Sequence, residues 1–242
     1  MPTTTPTSVA ARLLAHPLAA GALLADLVLP LRCAGCDAPG SGLCALCRQA
    51  LDPGADGPVA VHRPSASTGP PIYALTDYLG RARSVLLAFK ERDRRDLAAP
   101  LGELLAAALL RIPSVHPAAD GTWWLVPAPS RARAARRRGG SHLLRLARAT
   151  ATALSATGHP VCVAPALRLA AGVRDSVGLD RRGRTENLAG RVLLHPAAAP
   201  PPGTSVILLD DIVTTGATAT ACAQRLRAGG VPVGAVLTIA AV

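Results

Sequence analysis

Lysine, aromatic residues and nucleotide-binding glycine motifs are almost missing from this chain. Lys90 is its only lysine, so nearly all of the positive charge is arginine. Phe, Trp and Tyr together make up 2% of the residues, which leaves alanine, leucine and valine to fill the core. The few rings available (Tyr73, Tyr78, Phe89, Trp123, Trp124) also limit base stacking as a binding mode. No glycine-rich loop ends in Gly-Lys-Ser/Thr, and Lys90 sits in Leu87-Ala88-Phe89-Lys90-Glu91, which excludes a P-loop ATPase. No Gly-x-Gly-x-x-Gly follows a strand-like run, which excludes the dinucleotide fingerprint, and no Ser-His-Asp signature asks for another chemistry. No clean membrane span is present either: Val9 to Leu31 is apolar, but Arg12, His16, Pro17 and Asp26 interrupt it. That stretch predicts one or two packed helices. Met1 to Ser8 lacks a basic region and reads as a disordered tip, so neither a signal peptide nor a membrane partner is expected.

What remains is enough for one substantial core and a small satellite module, since the chain has 242 residues. The formal net charge of +11 favours polyanionic partners without choosing among diphosphates, nucleic acid and an acidic membrane surface. Four of the six cysteines form two C-x-x-C pairs, Cys33/Cys36 and Cys44/Cys47, and Gly35 eases the first turn. Two such knuckles can close a tetrahedral S₄ shell, which favours Zn²⁺ in a structural role; two disulfides or an iron–sulfur cluster are the alternatives. With this cysteine usage and no leader, the expected location is cytoplasmic. Cys162 and Cys222 lie in apolar or helical patterns and are expected to be small core residues.

The most informative stretch is Val206-Ile207-Leu208-Leu209-Asp210-Asp211-Ile212-Val213-Thr214-Thr215-Gly216-Ala217-Thr218. Four consecutive aliphatic residues suit a strand buried on both faces of a parallel sheet, and the two acids follow where open α/β sheets place their ligands. Next come a hydroxyl-rich turn and a helix from Ala217 to Arg227, closed by Gly229-Gly230. Main-chain amides and the positive end of the helix dipole would meet an anion there. The acids make sense if the same ligand carries vicinal hydroxyls or a divalent cation. A sugar diphosphate meets both conditions.

This run resembles the phosphoribosyl-diphosphate (PRPP) signature of type I phosphoribosyltransferases. With the four-cysteine module and the phrase Leu24-Ala25-Asp26-Leu27-Val28-Leu29-Pro30 before it, the chain resembles the ComF/GntX family from about Leu23 to Val242. The resemblance implies that Asp210 and Asp211 hold the ribose hydroxyls as the catalytic pair. It also implies that Thr214, Thr215, Gly216, Ala217 and Thr218 wrap the 5′-phosphate, and that Ala128, Pro129, Ser130 and Arg131 contact the pyrophosphate together with Mg²⁺. Arg133, Arg136, Arg137, Arg138 and Arg184 would line the diphosphate site or a nucleic-acid track. Single-stranded DNA is the alternative partner, through a role in competence and DNA uptake. Where relatives carry Gly-Phe-Asn-Gln, this chain has Gly139-Gly140-Ser141-His142. His142, at a helix start, is an acid–base candidate by type but is expected to be a surface histidine. Lys90 either reaches phosphate or ends a helix in solvent.

The fold class expected is α/β: a type I phosphoribosyltransferase-like, parallel-rich sheet with flanking helices and a small N-terminal zinc module. The expected division is a tail and helix over 1–22, the zinc ribbon over 23–51, a linker over 52–71 and the main domain over 72–242. Strands are predicted at Ile72–Tyr78, Trp123–Val126, Val161–Val163, Arg191–Leu194 and Val233–Ile239. Helices are predicted at Ala82–Lys90, Leu97–Arg111 and Ser141–Thr157.

Overall fold

The chain is seen through a computed structural model that describes residues 31–61, 69–130, 140–170 and 191–242. Its elements run α1 (Ala45–Gln49), β1 (Val59–Ala60), β2 (Ile72–Asp77), α2 (Gly80–Glu91), α3 (Ala98–Leu109), β3 (Trp123–Pro127) and α4 (His142–Ala156). They continue with β4 (Val161–Val163), β5 (Leu167–Leu169), β6 (Val192–Leu194), β7 (Val206–Val213), α5 (Ala217–Ala228) and β8 (Val233–Ala241). Six strands form one sheet in the order β1-β2-β8-β7-β3-β4. Every neighbouring pair in it is parallel except β1 with β2. β5 and β6 make a separate antiparallel pair. The architecture is therefore mixed α/β around a mostly parallel sheet.

Successive strand side chains point to opposite faces, so a strand buried at nearly every position must be covered on both sides. β7 fits that description, and it lies inside the sheet between β8 and β3. It is longer than the aliphatic run alone suggests. The ladder to β8 continues through Asp210↔Thr238, Ile212↔Ala240 and Val213↔Ala241, so the two acids lie within the strand rather than after it. On its other side β3 stops at Pro127↔Leu209, with one more bond from Ala128 N to Leu209 O. Pro129 has no N–H with which to extend that ladder. The acid pair thus sits where β7 outruns β3.

With few aromatic side chains, the core closes by bringing backbones together. α3 buries Leu101, Leu104, Leu105 and Leu109, and α4 buries Leu143, Leu146, Ala147 and Leu154. A Cβ built on Gly102 of α3 would lie 2.6 Å from the Ala149 carbonyl carbon and 2.7 Å from Thr150 N. Only hydrogen fits at that crossing. Two expectations need revising: Val59 and Ala60, read as part of an unpatterned connection, form the antiparallel edge β1, and Cys162 on edge strand β4 is exposed, not a core residue. Cys222 is fully buried as expected. No helix among the described residues is long and apolar enough to cross a membrane; Val9 to Pro30 lies outside them.

Gly102→Val should lower unfolding stability by about 2–3 kcal/mol, because main-chain atoms of α4 have no rotamer with which to yield. Urea denaturation would read this as a lower midpoint with an unchanged slope.

Candidate functional site

At the carboxyl end of β7 both carboxylates turn inward: Asp210 is 9% and Asp211 3% exposed. Burying charge there is costly unless it is paired and hydrogen-bonded. Asp211 meets that demand with groups from three elements. Its Oδ1 accepts from its neighbour's amide, Ile212 N, at 2.8 Å. Its Oδ2 lies 2.9 Å from Lys90 Nζ in the last turn of α2 and 2.9 Å from His142 Nε2 at the start of α4. Asp210 Oδ1 accepts from Asp211 N at 2.9 Å.

Both ambiguous residues of the sequence are thereby placed. His142 is not a surface residue: it is 3% exposed, bonded to Asp211, and packed edge-on against Phe89 with ring centroids 5.7 Å apart. Lys90, the sole lysine, ends its helix on Asp211 rather than in solvent, although its side chain stays 37% exposed. Neither partnership was legible in the sequence, since Lys90 and His142 lie far from position 211 along the chain.

The electrostatics follow from this arrangement. Burial works against charge on Asp211, but the hydrogen bond from His142 and the charge of Lys90 outweigh it and hold the carboxyl well below the usual range. Burial, and then the negative Asp211 beside it, push Asp210 the other way, up to about 8. Burial opposes charge on Lys90 as well, yet the attraction of Asp211 raises its pKa. The site therefore favours charge on Asp211 and pushes Asp210 towards its neutral form. Cys222 on α5 is pushed up by burial and by the nearby Asp210.

The remaining expected residues fall in three groups. Thr214, Thr215 and Gly216 form the turn into α5, and Ala217 and Thr218 open the helix. Gly216 caps that helix with φ 78°, a left-handed conformation that glycine adopts without strain, and Thr215 Oγ1 accepts from Ala217 N at 3.3 Å. Ala128, Pro129 and Ser130 lie at the end of β3, tied to β7 by the Ala128–Leu209 bond. Ser130 Oγ donates to Ser141 Oγ at 2.9 Å, and Ser141 caps α4 by accepting from Leu144 N. The structure thus brings the acid pair, the β3 turn and the α5 turn to one end of the sheet. Arg131, Arg133, Arg136, Arg137, Arg138 and Arg184 lie outside the described residues, as does Gly139. A cavity of about 1010 Å³ lies elsewhere, between α3 and α4, lined by alanines such as Ala99, Ala107 and Ala153 and by charged side chains such as Arg48, Glu103 and Arg145.

The four cysteines also converge. The sulfurs of Cys33, Cys36, Cys44 and Cys47 all lie within 4.8 Å of one another, and Cys36 and Cys44 are 3.6 Å apart. A tetrahedral S₄ site with metal–sulfur bonds of about 2.3 Å needs sulfurs about 3.8 Å apart, so the set could hold such an ion. Burial works against a thiolate at Cys33, but the amides of Cys44, Gly35 and Cys36 overcome it and bring its pKa to about 6. Burial and the neighbouring thiols push Cys47 up. Among the described residues no other group of three or more Cys, His, Asp or Glu side chains converges in this way.

No family model and no curated protein matches the chain. Among solved structures it is similar to one titled as the allosteric regulatory enzyme of purine biosynthesis, at 14% identity and a TM-score of 0.35. The similarity covers 62% of this chain and 30% of that one, so the chain spans about three-tenths of that enzyme's length.

The opposed behaviour of the acids has a measurable signature. Asp210 keeps its proton to about 8 when folded, against 3.8 for a free carboxyl, so between those pH values the folded state binds the extra proton. Its contribution to stability is therefore full at low pH and is lost as pH rises through that window. Asp211 runs the other way: its contribution is full above the ordinary carboxylate range and fades below it. Asp210→Asn should gain on the native chain between about pH 5 and about pH 8, with a limiting slope of about 1.4 kcal/mol per pH unit. Parallel stability curves for the two proteins would show instead that Asp210 is ionised.

Proposed function

We propose that the chain is a phosphoribosyltransferase-like protein of the ComF/GntX type that binds PRPP at the carboxyl end of β7. One observation carries this reading. The acid pair lies where β7 outruns β3, and the strand then turns through a left-handed glycine directly into the N-terminus of α5. Carboxylates beside a helix N-terminus suit a ligand with hydroxyls at one end and phosphate at the other. In this reading Asp210 and Asp211 take the ribose hydroxyls, and the main-chain amides and hydroxyls of 214–218 take the 5′-phosphate. Ala128, Pro129, Ser130 and Arg131 face the diphosphate, with the arginines at 133, 136, 137, 138 and 184 adding charge around it.

Lys90 has a place in the same reading. Its side chain is the exposed member of the buried cluster, so it can leave Asp211 for a diphosphate oxygen while the ribose hydroxyls replace it on the carboxylate. His142 stays behind and keeps Asp211 oriented. Mg²⁺ would arrive with the diphosphate and neutralise part of its charge.

The reaction proposed is displacement at C1 of the sugar. An acceptor nucleophile forms a bond to C1 as the C1–O bond breaks, pyrophosphate leaves with the electron pair, and the acceptor gives up its proton to solvent. The protein contributes positioning and electrostatics and needs no covalent nucleophile. The four cysteines are assigned to a structural Zn²⁺, which would tie the two knuckles into one module.

Asp211→Asn should weaken PRPP binding by at least about tenfold, or about 1.4 kcal/mol, in calorimetry with Mg²⁺ present. Equal affinity for the two proteins would remove the assignment. Pyrophosphate release from PRPP with a panel of nucleobases tests transfer. A gel-shift run beside it, positive for single-stranded DNA while no pyrophosphate appears, would favour the DNA-handling alternative. Purified protein should carry about one zinc per chain, and chelation should release it and unfold residues 31–51. A metal-free protein with that segment intact would refute the zinc assignment.

A further inference from the structure

We propose that the four-cysteine module is a positioning device for the acid pair, acting through helix α2. The ligand named in the test rests on the PRPP reading above; the mechanical link does not.

The module leans on the element that delivers Lys90. A Cβ built on Gly35, between the first two cysteines, would lie 2.6 Å from Cys47 Sγ and 3.2 Å from Val85 Cγ2. The knuckle backbone is therefore pressed between its own sulfur shell and the middle of α2, where Val85 is fully buried. Phe89 follows Val85 by four residues and so occupies the same face of the helix one turn on. Phe89 meets the His142 ring, and Lys90 beside it meets Asp211. A single helix thus touches the cysteine module in its middle and the acid pair at its end.

A second strut holds the segment just past α2. Arg94 grips Asp96 through both Nε and Nη2 at 2.8 Å, and its Nη2 also donates to Arg32 O at 2.9 Å, on the lead-in to the first cysteine. Gly42, just before the second pair, lies so close to the Asp96 carboxylate that no side chain fits between them. Asp93, in a left-handed conformation with φ 51°, is bound by Arg95 and by Arg145 of α4, the helix that carries His142. Arg48 of α1 pairs with Glu103 of α3 at 2.8 Å. The module therefore touches α2, the turn after it and α3.

The physical consequence concerns Lys90. Its ammonium compensates a buried carboxylate only if the end of α2 is held to within hydrogen-bond distance. A long side chain on a loosened helix end would spend its time in water, and Asp211 would keep only His142 and the Ile212 amide as partners. Closing the S₄ shell keeps the Gly35 knuckle compact, and a compact knuckle keeps α2 seated. Loss of the ion would release that support without touching the site itself.

The test uses the full-length chain, zinc-loaded and after chelation, with amide hydrogen exchange and PRPP calorimetry as readouts. Removing the metal should speed exchange over residues 80–91 about tenfold while leaving residues 217–228 unchanged, and should weaken PRPP binding about tenfold. Lys90→Met should weaken PRPP to a similar degree, and chelation of that variant should cost no further affinity. Arg94→Ala, which keeps all four cysteines and the buried face of α2, should reproduce part of both effects with zinc still bound. If chelation also loosens residues 217–228, Arg94→Ala decides. Unchanged exchange over 80–91 in both the stripped chain and Arg94→Ala would overturn the proposal, as would losses that simply add in Lys90→Met. If the zinc-loaded native chain does not bind PRPP at all, the ligand reading fails, and exchange over 80–91 still decides the link.

Discussion

A carboxylate with 3% exposure at the end of an interior strand needs positive or polar company, and most of this structure can be read as the way Asp211 obtains it. One partner comes from α2 and one from α4, two helices separated in sequence by α3 and β3. α2 must end where α4 begins for both side chains to reach the carboxylate. The Phe89–His142 contact joins the two helices just behind that point. The neighbouring Asp210 cannot be charged at the same cost, and its pKa is pushed up by burial and by Asp211. Two adjacent, chemically identical residues are pushed in opposite directions because only Asp211 has Lys90 and His142 in direct contact, while Asp210 has a single main-chain amide.

The scarcity of aromatic residues shapes how the helices reach those positions. Without large rings to span gaps, α3 and α4 approach until their backbones nearly touch at Gly102, and leucines close the space on either side. Such a seam transmits displacement, because close-packed main chain has no soft side chain to absorb it. The Arg145–Asp93 pair lies at one end of this seam and ties α4 to the turn after α2. Fixing α4 therefore also fixes where His142 starts.

The small cysteine module belongs to the same network. On its own it has too little apolar surface to fold without cross-linking, and Leu51 is fully buried as part of the main core. Its contacts fall on α2, α3 and the turn between them, so it covers helices rather than strands. That placement explains why a module distant in sequence from the acid pair lies only one helix away in space.

Much of the architecture was written in local pattern. The aliphatic run 206–209, the apolar periodicity of 98–109 and 142–156, and the Thr-Thr-Gly turn each specify an element by the period of their side chains or by one glycine's backbone freedom. The cysteine spacing likewise brings four sulfurs within reach of a single ion. Where pattern was weak, the reading failed: Val59–Ala60 is too short to show alternation, and Cys162 has an apolar neighbourhood in sequence but an edge position in the sheet. The length of β7 was underread because Asp210 and Asp211 break the hydrophobic run, and only pairing with β8 keeps them in the strand. The choice of partners for Asp211 is of another kind. A lysine and a histidine carry no mark of what they will meet, because ion pairs across 69 and more positions depend on how whole helices dock. Residue chemistry and spacing specified most of the elements, because their period is local; the docking of α2 and α4 alone decided which acid gains a lysine and a histidine as partners.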